Sequence, residues 1–370
     1  MPFLLSTQNV LGYLNEREIS NTNSDLLLSI QPKSGKNFNL LVEFKDKTAF
    51  LVKQEQHNLD GKTDEEFRRE WYLQKLFATF PELCGLRSWL VEPLDIDLDR
   101  SVIVVEYLPE YVDLHDFYEQ ERFPVTVAEN LGRALGQIHR STFNQSQYEA
   151  FLTELNRGKS VSRVPRVLYG LERINVSVFQ RVQQESLEFY RLFQRYESLG
   201  NAIAQLKASW SPCCLIHRDL RFPNVLVHPE TGAIRIIDWE KFCWGDPAYD
   251  LGTVIAHYLM IWLRSLVIHK GLDLASTLKM ARVLIAQLQP SLAALRSTYL
   301  EEFPDVDLVR SLQYAGAVLI DAIQIKLQYY EPFNNRDICQ MQVAKTLLCQ
   351  PEQAMQTVFG NSHHVAGHCS

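Results

Sequence analysis

Residues 215–252 constrain this chain more than any other stretch; they read LIHRDLRFPNVLVHPETGAIRIIDWEKFCWGDPAYDLG. An apolar run, Cys214-Leu215-Ile216, leads into His217-Arg218-Asp219, and Asn224 stands five residues after the aspartate. Val225–Val227 and Ala233–Ile237 read as two short strands, followed by Asp238 and Glu240. Then comes Gly245-Asp246-Pro247-x-x-Asp250-Leu251-Gly252. Two carboxylates and an amide thus sit on the arms of one hairpin. Asp219, in a turn, is placed to receive a proton, while Asn224 and Asp238 flank the strand pair, where their oxygens can meet on one metal ion. Phosphoryl transfer asks for this set: hard oxygen ligands for Mg²⁺, a base for the attacking hydroxyl, and cations against the developing charge.

The chain has 370 residues, enough for two domains or two lobes that share a cleft. An apolar fraction of 46% allows a large core and excludes global disorder. A net charge of −7 argues against nucleic acid as a partner, since such binders need a basic face. The seven cysteines are scattered, with Cys213 and Cys214 the one adjacent pair and no C-x-x-C, which suits a reduced, cytoplasmic protein better than a disulfide framework. No basic segment with a cleavage site opens the chain. The one membrane candidate, 251–268, is interrupted by His257 and Arg264 and reads as a buried helix.

In the first part of the chain, Leu26, Leu28 and Ile30 alternate, Phe38–Phe44 alternates again, and Thr48–Gln54 predicts a third strand. The intervening QPKSGKN folds over a nucleotide's phosphates or closes an ordinary hairpin; with one glycine it does not decide between them. Lys53 ends an apolar strand, where a charge is costly unless paired. Thr63–Glu66 has the form of a capping box and predicts a helix through Phe80. Glu70 falls on that helix's apolar side, towards the sheet, so a Lys53–Glu70 ion pair is expected; the alternative is an exposed lysine and a helix-flank glutamate. Val91–Leu94 and Ser101–Tyr107 form a further hairpin, and Leu108-Pro109-Glu110 is the expected hinge. A nucleotide base would bond the backbone from Glu106 to Leu108.

Beyond the hinge, Thr126–Glu129 reads as a second capping box, opening a helix to about Arg140 in which Gly132 and Gly136 imply close packing. His139 reads as a core or capping residue. Residues 153–175, with Arg157, Lys159, Arg163, Arg166 and Arg173, form a solvated loop or a docking surface for an acidic substrate or peptide. Helical patterns follow from Val176 to about Lys207 and at 251–269, 274–288, 291–300, 306–330 and 337–348, punctuated by Pro290, Pro304 and Pro332. Glu301, Glu302, Asp305, Asp307, Asp321 and Glu331 make this part acidic, as a solvated face or as the lining for a cationic substrate. The tail HHVAGHCS is a weak metal site at best, because flexible ends seldom hold one.

The series His217-x-Asp219-x-x-x-x-Asn224, Asp238-x-Glu240 and Gly245-Asp-Pro-x-x-Asp250-Leu-Gly resembles the aminoglycoside phosphotransferase and choline kinase family, over roughly residues 25–255. The resemblance implies an α+β, bilobal protein-kinase-like fold. Residues 1–107 would be a small antiparallel-sheet nucleotide-binding lobe with one helix, and 108–370 a large, mostly helical lobe for catalysis and substrate. It implies ATP (or GTP) and Mg²⁺, with Asp219 as base, Asn224 and Asp238 as metal ligands, and Lys53 on the phosphates, oriented by Glu70. Asp250 would brace the catalytic loop, and Leu226 and Ile237 would floor the base pocket. The acceptor would be a hydroxyl of a small molecule, such as an amino sugar or amino alcohol. Similar kinases phosphorylate Ser or Thr in peptide natural-product pathways, and an inactive binding module is a third reading.

The sequence departs from the family in three places. Many members carry Gly where Arg218 stands. Arg221 stands where protein kinases carry a Lys that meets the transferring phosphate, so the resemblance makes Arg221 a catalytic candidate. The phosphate loop is not glycine-rich.

Overall fold

A computed structural model describes residues 3–19, 26–171, 184–267, 280–329 and 331–360. The N-terminal sheet is antiparallel, ordered β1-β2-β3-β5-β4. Its strands are β1 (Leu27–Lys33), β2 (Phe38–Phe44), β3 (Ala49–Gln54), β4 (Pro93–Asp97) and β5 (Val102–Glu106). Side chains alternate across a sheet. Leu40, Val42, Val52, Val102 and Val104 therefore share one face, packed with Val10, Tyr13 and Leu14 of helix α1 (Val10–Glu16). Asn39, Leu51, Lys53, Ile103 and Val105 share the other, which lines a cavity. The period of two is what aims Lys53 away from the small core. Helix α1 is an addition to the single helix expected for this lobe; its polar surroundings hide the apolar triplet that covers the sheet.

Helix α2 (Phe67–Thr79) starts later than the capping-box pattern predicts. Thr63 instead pairs its hydroxyl with Ser101 at 3.0 Å, and the Phe67 amide donates to Glu55 Oε1 at 2.8 Å. The buried Glu55, just past β3, thus takes over as acceptor for an early helix amide. Tyr72, Leu73, Leu76 and Phe77 join the large core rather than that of the sheet. A 3₁₀ stretch, Pro81–Trp89, then carries the chain to Val91, whose amide donates to Ile236 O at 3.3 Å.

The second part holds two small sheets. β6 (Val112–Asp113), β8 (Val225–Val227) and β9 (Ile234–Ile236) form one, and β7 (Cys214–Ile216) pairs antiparallel with β10 (Cys243–Gly245) in the other. The rest is helical: α3 (Leu114–Tyr118), α4 (Val125–Thr142), α5 (Ser146–Leu155), α6 (Gln184–Gln194), α7 (Glu197–Ala208) and α8 (Pro247–Ser265). They are followed by α9 (Ile285–Glu302), α10 (Leu308–Gln328), α11 (Asn335–Cys349) and α12 (Pro351–Phe359).

Helix α4 begins at Val125 behind Pro124 with no side-chain cap, so the second capping box is not formed either. Gly132 and Gly136 do mark close packing: an added Cβ at Gly132 would lie 2.5 Å from Leu295 O, and one at Gly136 2.5 Å from Glu302 Cβ, both on α9. His139 is fully buried there, its Nδ1 2.6 Å from the Tyr299 hydroxyl. Pro290 lies inside α9 rather than ending a helix. It removes a backbone donor near the helix start, while Leu288, Leu292 and Leu295 hold that helix in the core. The basic stretch from 153 starts on α5 and continues through a 3₁₀ turn, Arg166–Leu168. Arg173, residues 176–183 and 274–279, and the histidine tail lie outside the described residues. No described helix is long and apolar enough to cross a membrane.

Candidate active site

A cavity of about 630 Å³ lies between the N-terminal sheet and the β8–β9 hairpin. Lys53, Glu70, Glu106, Leu108, Asp219, Arg221, Asn224, Leu226, Ile237 and Asp238, the site residues expected from sequence, all line it.

The loop after β7 is fixed from beneath. Asp250, in the first turn of α8, accepts the His217 amide at 2.6 Å and the Arg218 amide at 2.9 Å. These bonds hold Arg218 at φ +67°, a left-handed conformation that costs a non-glycine residue strain. His217 is buried. Its Nε2 pairs with Ile237 O at 2.8 Å and its Nδ1 with the Asp219 amide at 3.2 Å. A carbonyl can only accept and an amide only donate, so the proton sits on Nε2. The ring therefore ties the Asp219 loop to the strand that ends at Asp238.

Asn224 donates from Nδ2 to Asp219 O at 2.7 Å, and its own carbonyl accepts the Ile237 amide at 3.0 Å. With Nδ2 so engaged, Oδ1 is the atom of this cavity-lining side chain left to serve as an acceptor. Asp238 adopts φ +59°, ψ +59°, a conformation aspartate tolerates. Its carboxylate is bonded by the Lys53 ammonium. A carboxylate and an amide oxygen on one wall, with a cation already drawn to the carboxylate, are a donor set that fits Mg²⁺.

The expected Lys53–Glu70 ion pair is corrected: Lys53 bonds Asp238, and Glu70 Oε1 accepts the Trp239 amide at 2.8 Å. Glu70 still faces inward, but from α2 it meets the backbone beside Asp238 before it meets the lysine. Burial first, and Asp238 second, raise the Glu70 carboxyl to about 7, against the pull of Lys53. Burial disfavours the Lys53 ammonium, yet the Asp238 charge and hydrogen bond outweigh it and its pKa is raised. For Asp238 burial acts upward, and Lys53 brings the net shift below the usual carboxylate range.

At the hinge, the Tyr107 amide donates to Ala49 O at 2.9 Å. Successive peptide groups in an extended chain point opposite ways. The neighbouring groups of Glu106 and Leu108 are thereby turned from β3, and both residues line the cavity with Leu51, Ile103 and Val105. Of the expected QPKSGKN loop, Gln31–Lys33 are paired in β1, and the remaining turn, residues 34–37, sits at the cavity rim, where Lys36 bonds Glu66 and lies 3.8 Å from Glu240.

Sequence reasoning missed Lys241. Its Nζ donates to Asp219 Oδ2 at 2.7 Å, while Arg221 Nε lies 3.1 Å from Oδ1 of the same carboxylate. Only its place inside the Asp238–Gly245 segment pointed to it. Asp113 and Asp116 also line the cavity and carried no signal of their own.

An antiparallel N-terminal sheet joined to a mostly helical part, with this cavity beside the sheet, is the fold that the motif resemblance implies. The sequence model of the phosphotransferase enzyme family (APH) matches residues 34–283, and the chain belongs to that family as a kinase. No curated protein matches it. Among solved structures it is similar to an ethanolamine kinase of Plasmodium vivax, at 15% identity and a TM-score of 0.51, covering 95% of this chain and 91% of that one. It is also similar to a choline/ethanolamine kinase family protein from Mesorhizobium loti, at 15% identity and a TM-score of 0.51, covering 95% of this chain and 100% of the other. At such identity these likenesses concern the fold.

Proposed function

We propose that this kinase transfers the γ-phosphoryl group of ATP (or GTP) to a hydroxyl of a small cationic molecule, an amino alcohol or amino sugar, with Asp219 as base. The observation that carries the reading is the convergence of Asp219, Asn224, Asp238 and Lys53 on one cavity. The base would lie against Leu51, Ile103, Leu226 and Ile237, with its edge at the backbone of Glu106 to Leu108, where the lobes join near residue 108. Lys53 would move from Asp238 to the α- and β-phosphates. Asn224 and Asp238 would hold Mg²⁺, which when bound neutralises phosphate charge. Asp219 Oδ2 would take the acceptor's proton as its oxygen attacks the γ-phosphorus in line.

The cationic acceptor is supported by Asp321 on α10. Its carboxyl is raised by burial, is drawn down by Arg166, and is pushed up by the charge of Asp219, so it stands within electrostatic reach of the base. The reading is tested by incubating purified protein with MgATP and a panel of amino alcohols, amino sugars, neutral sugars and peptides. Mass gain of one phosphoryl on an amine-bearing alcohol supports it; transfer only to peptides or neutral sugars overturns the acceptor class.

A further inference from the structure

Both oxygens of the Asp219 carboxylate carry a cation. Lys241 Nζ is 2.7 Å from Oδ2, and Arg221 approaches Oδ1 at 3.1 Å and Oδ2 at 3.4 Å. An acceptor hydroxyl needs one of those oxygens at about 2.6–3.2 Å, and the two cations compete with it for the carboxylate's roughly four lone-pair sites. Departure of one cation opens an oxygen fully to the hydroxyl. We infer that Lys241 is a catalytic residue: without nucleotide it covers Asp219, and with nucleotide it moves onto the oxygens of the transferring γ-phosphoryl group.

The construction around Lys241 suits such a movement. Its backbone is pinned, since the Trp239 amide is held by Glu70 at 2.8 Å and the Phe242 amide by Trp239 O at 3.1 Å. Its side chain is free to swing, being 40% exposed and lining the same cavity as Lys53, Asn224 and Asp238. An ammonium is a compact charge on a flexible stem, so it changes partners without rebuilding a planar fork as a guanidinium must. The pair is partly open to solvent, which weakens it against a more highly charged partner.

The distances require no large motion. In a reactive complex the acceptor oxygen lies within a hydrogen bond of Asp219 and about 3–3.5 Å from the γ-phosphorus. The equatorial oxygens are then within a short swing of an ammonium that started on Oδ2. The acceptor oxygen forms its bond to the γ-phosphorus while the bond to the bridging oxygen breaks. The electron pair leaves with the nucleoside diphosphate, and the hydroxyl proton goes to the Oδ2 that Lys241 has vacated. The same exchange serves both partners: the phosphoryl gains a cation, and the base gains a free oxygen.

This inference rests on Asp219 being the base, so the test separates the two. The probe is MgADP with aluminium fluoride, which mimics the transferring group, compared with MgADP alone by calorimetry; MgATP hydrolysis with water as acceptor is read in parallel. Lys241→Met should weaken the aluminium fluoride complex about 100-fold while MgADP affinity stays within about threefold, as expected for a donor used only in the transition state. Lys241→Arg should recover part of the loss. Equal affinities of Lys241→Met and wild type for both ligands would mean that Lys241 is a rim ion pair, and the inference fails alone. If Asp219→Asn hydrolyses MgATP as wild type does, the base reading fails, whatever Lys241→Met shows.

Discussion

Glu70 Oε1 accepts the backbone amide of Trp239 at 2.8 Å, so helix α2 is bonded directly to the turn that presents Asp238 and Lys241. The bond is buried and joins residues 169 positions apart. It makes the position of α2 a condition for the geometry of the cavity floor.

Glu70→Ala should therefore destabilise the protein by about 1–3 kcal/mol, the cost of leaving a buried amide without an acceptor. Glu70→Gln keeps an oxygen for Trp239 and removes a buried charge, so it should stay within about 1 kcal/mol of wild type. Urea unfolding of the two variants checks the difference. A Glu70 that served mainly to orient Lys53 by charge would make the two variants equally harmful.

Asp219→Asn should lower phosphoryl transfer by about 10²–10⁴-fold, the range for loss of a positioned base. Nucleotide affinity should hold, because the asparagine has nearly the same shape and Lys53 and Asp238 are untouched. Single-turnover transfer and calorimetric ATP binding give the two readouts.

Asp238→Ala should remove the Mg²⁺ dependence of ATP binding. It also leaves the half-buried Lys53 ammonium without its partner, which, screened in part by solvent, should cost about 1–3 kcal/mol in stability. Titration of ATP with and without Mg²⁺ tests the first effect and thermal unfolding the second. Unchanged Mg²⁺ dependence would remove Asp238 from the metal site.

Gly132→Ala should destabilise by about 1–3 kcal/mol through overpacking, although alanine is the better helix former. Its Cβ would stand 2.3 Å from Thr298 Oγ1 and 2.5 Å from Leu295 O, and the second is backbone that cannot rotate away. Chemical denaturation checks the sign.

His257, packed against the Phe222 ring, has its pKa lowered from 6.5 to about 3, by burial first and by Arg221 and Arg264 after it. The unfolded chain then binds a proton below about pH 6.5 that the folded one refuses. This contribution to stability is present above pH 6.5 and is lost progressively as the pH falls towards 3. Between pH 6.5 and 5 it amounts to at most about 2 kcal/mol. His257→Phe should flatten the pH dependence of urea unfolding over that interval.

Local patterns were enough for β2 and β3, for the motif residues of 215–252, and for glycines whose absent Cβ lets α4 meet α9, while β1 and β4 run further than their patterns, to Lys33 and Asp97, because pairing with β2 and β5 extends them. Both capping boxes failed for one reason: a capping residue acts only if the helix starts beside it. Glu55 and Pro124 set those starts instead. Pro290 misled because a lost backbone bond weighs less than a helix face already committed to the core.

The sequence by itself determined which carboxylate, amide and lysine side chains come to line the cavity, and it places the chain in the phosphotransferase family. It also determined that Lys53 and Glu70 face inward, because the periods of strand and helix fix the direction of each side chain. Only the tertiary structure decided their partners. Lys53 meets Asp238, Glu70 meets the Trp239 amide, and Lys241 meets Asp219. Partner choice in a cavity is settled by distances between elements far apart in the chain, and periodicity carries no information about those distances.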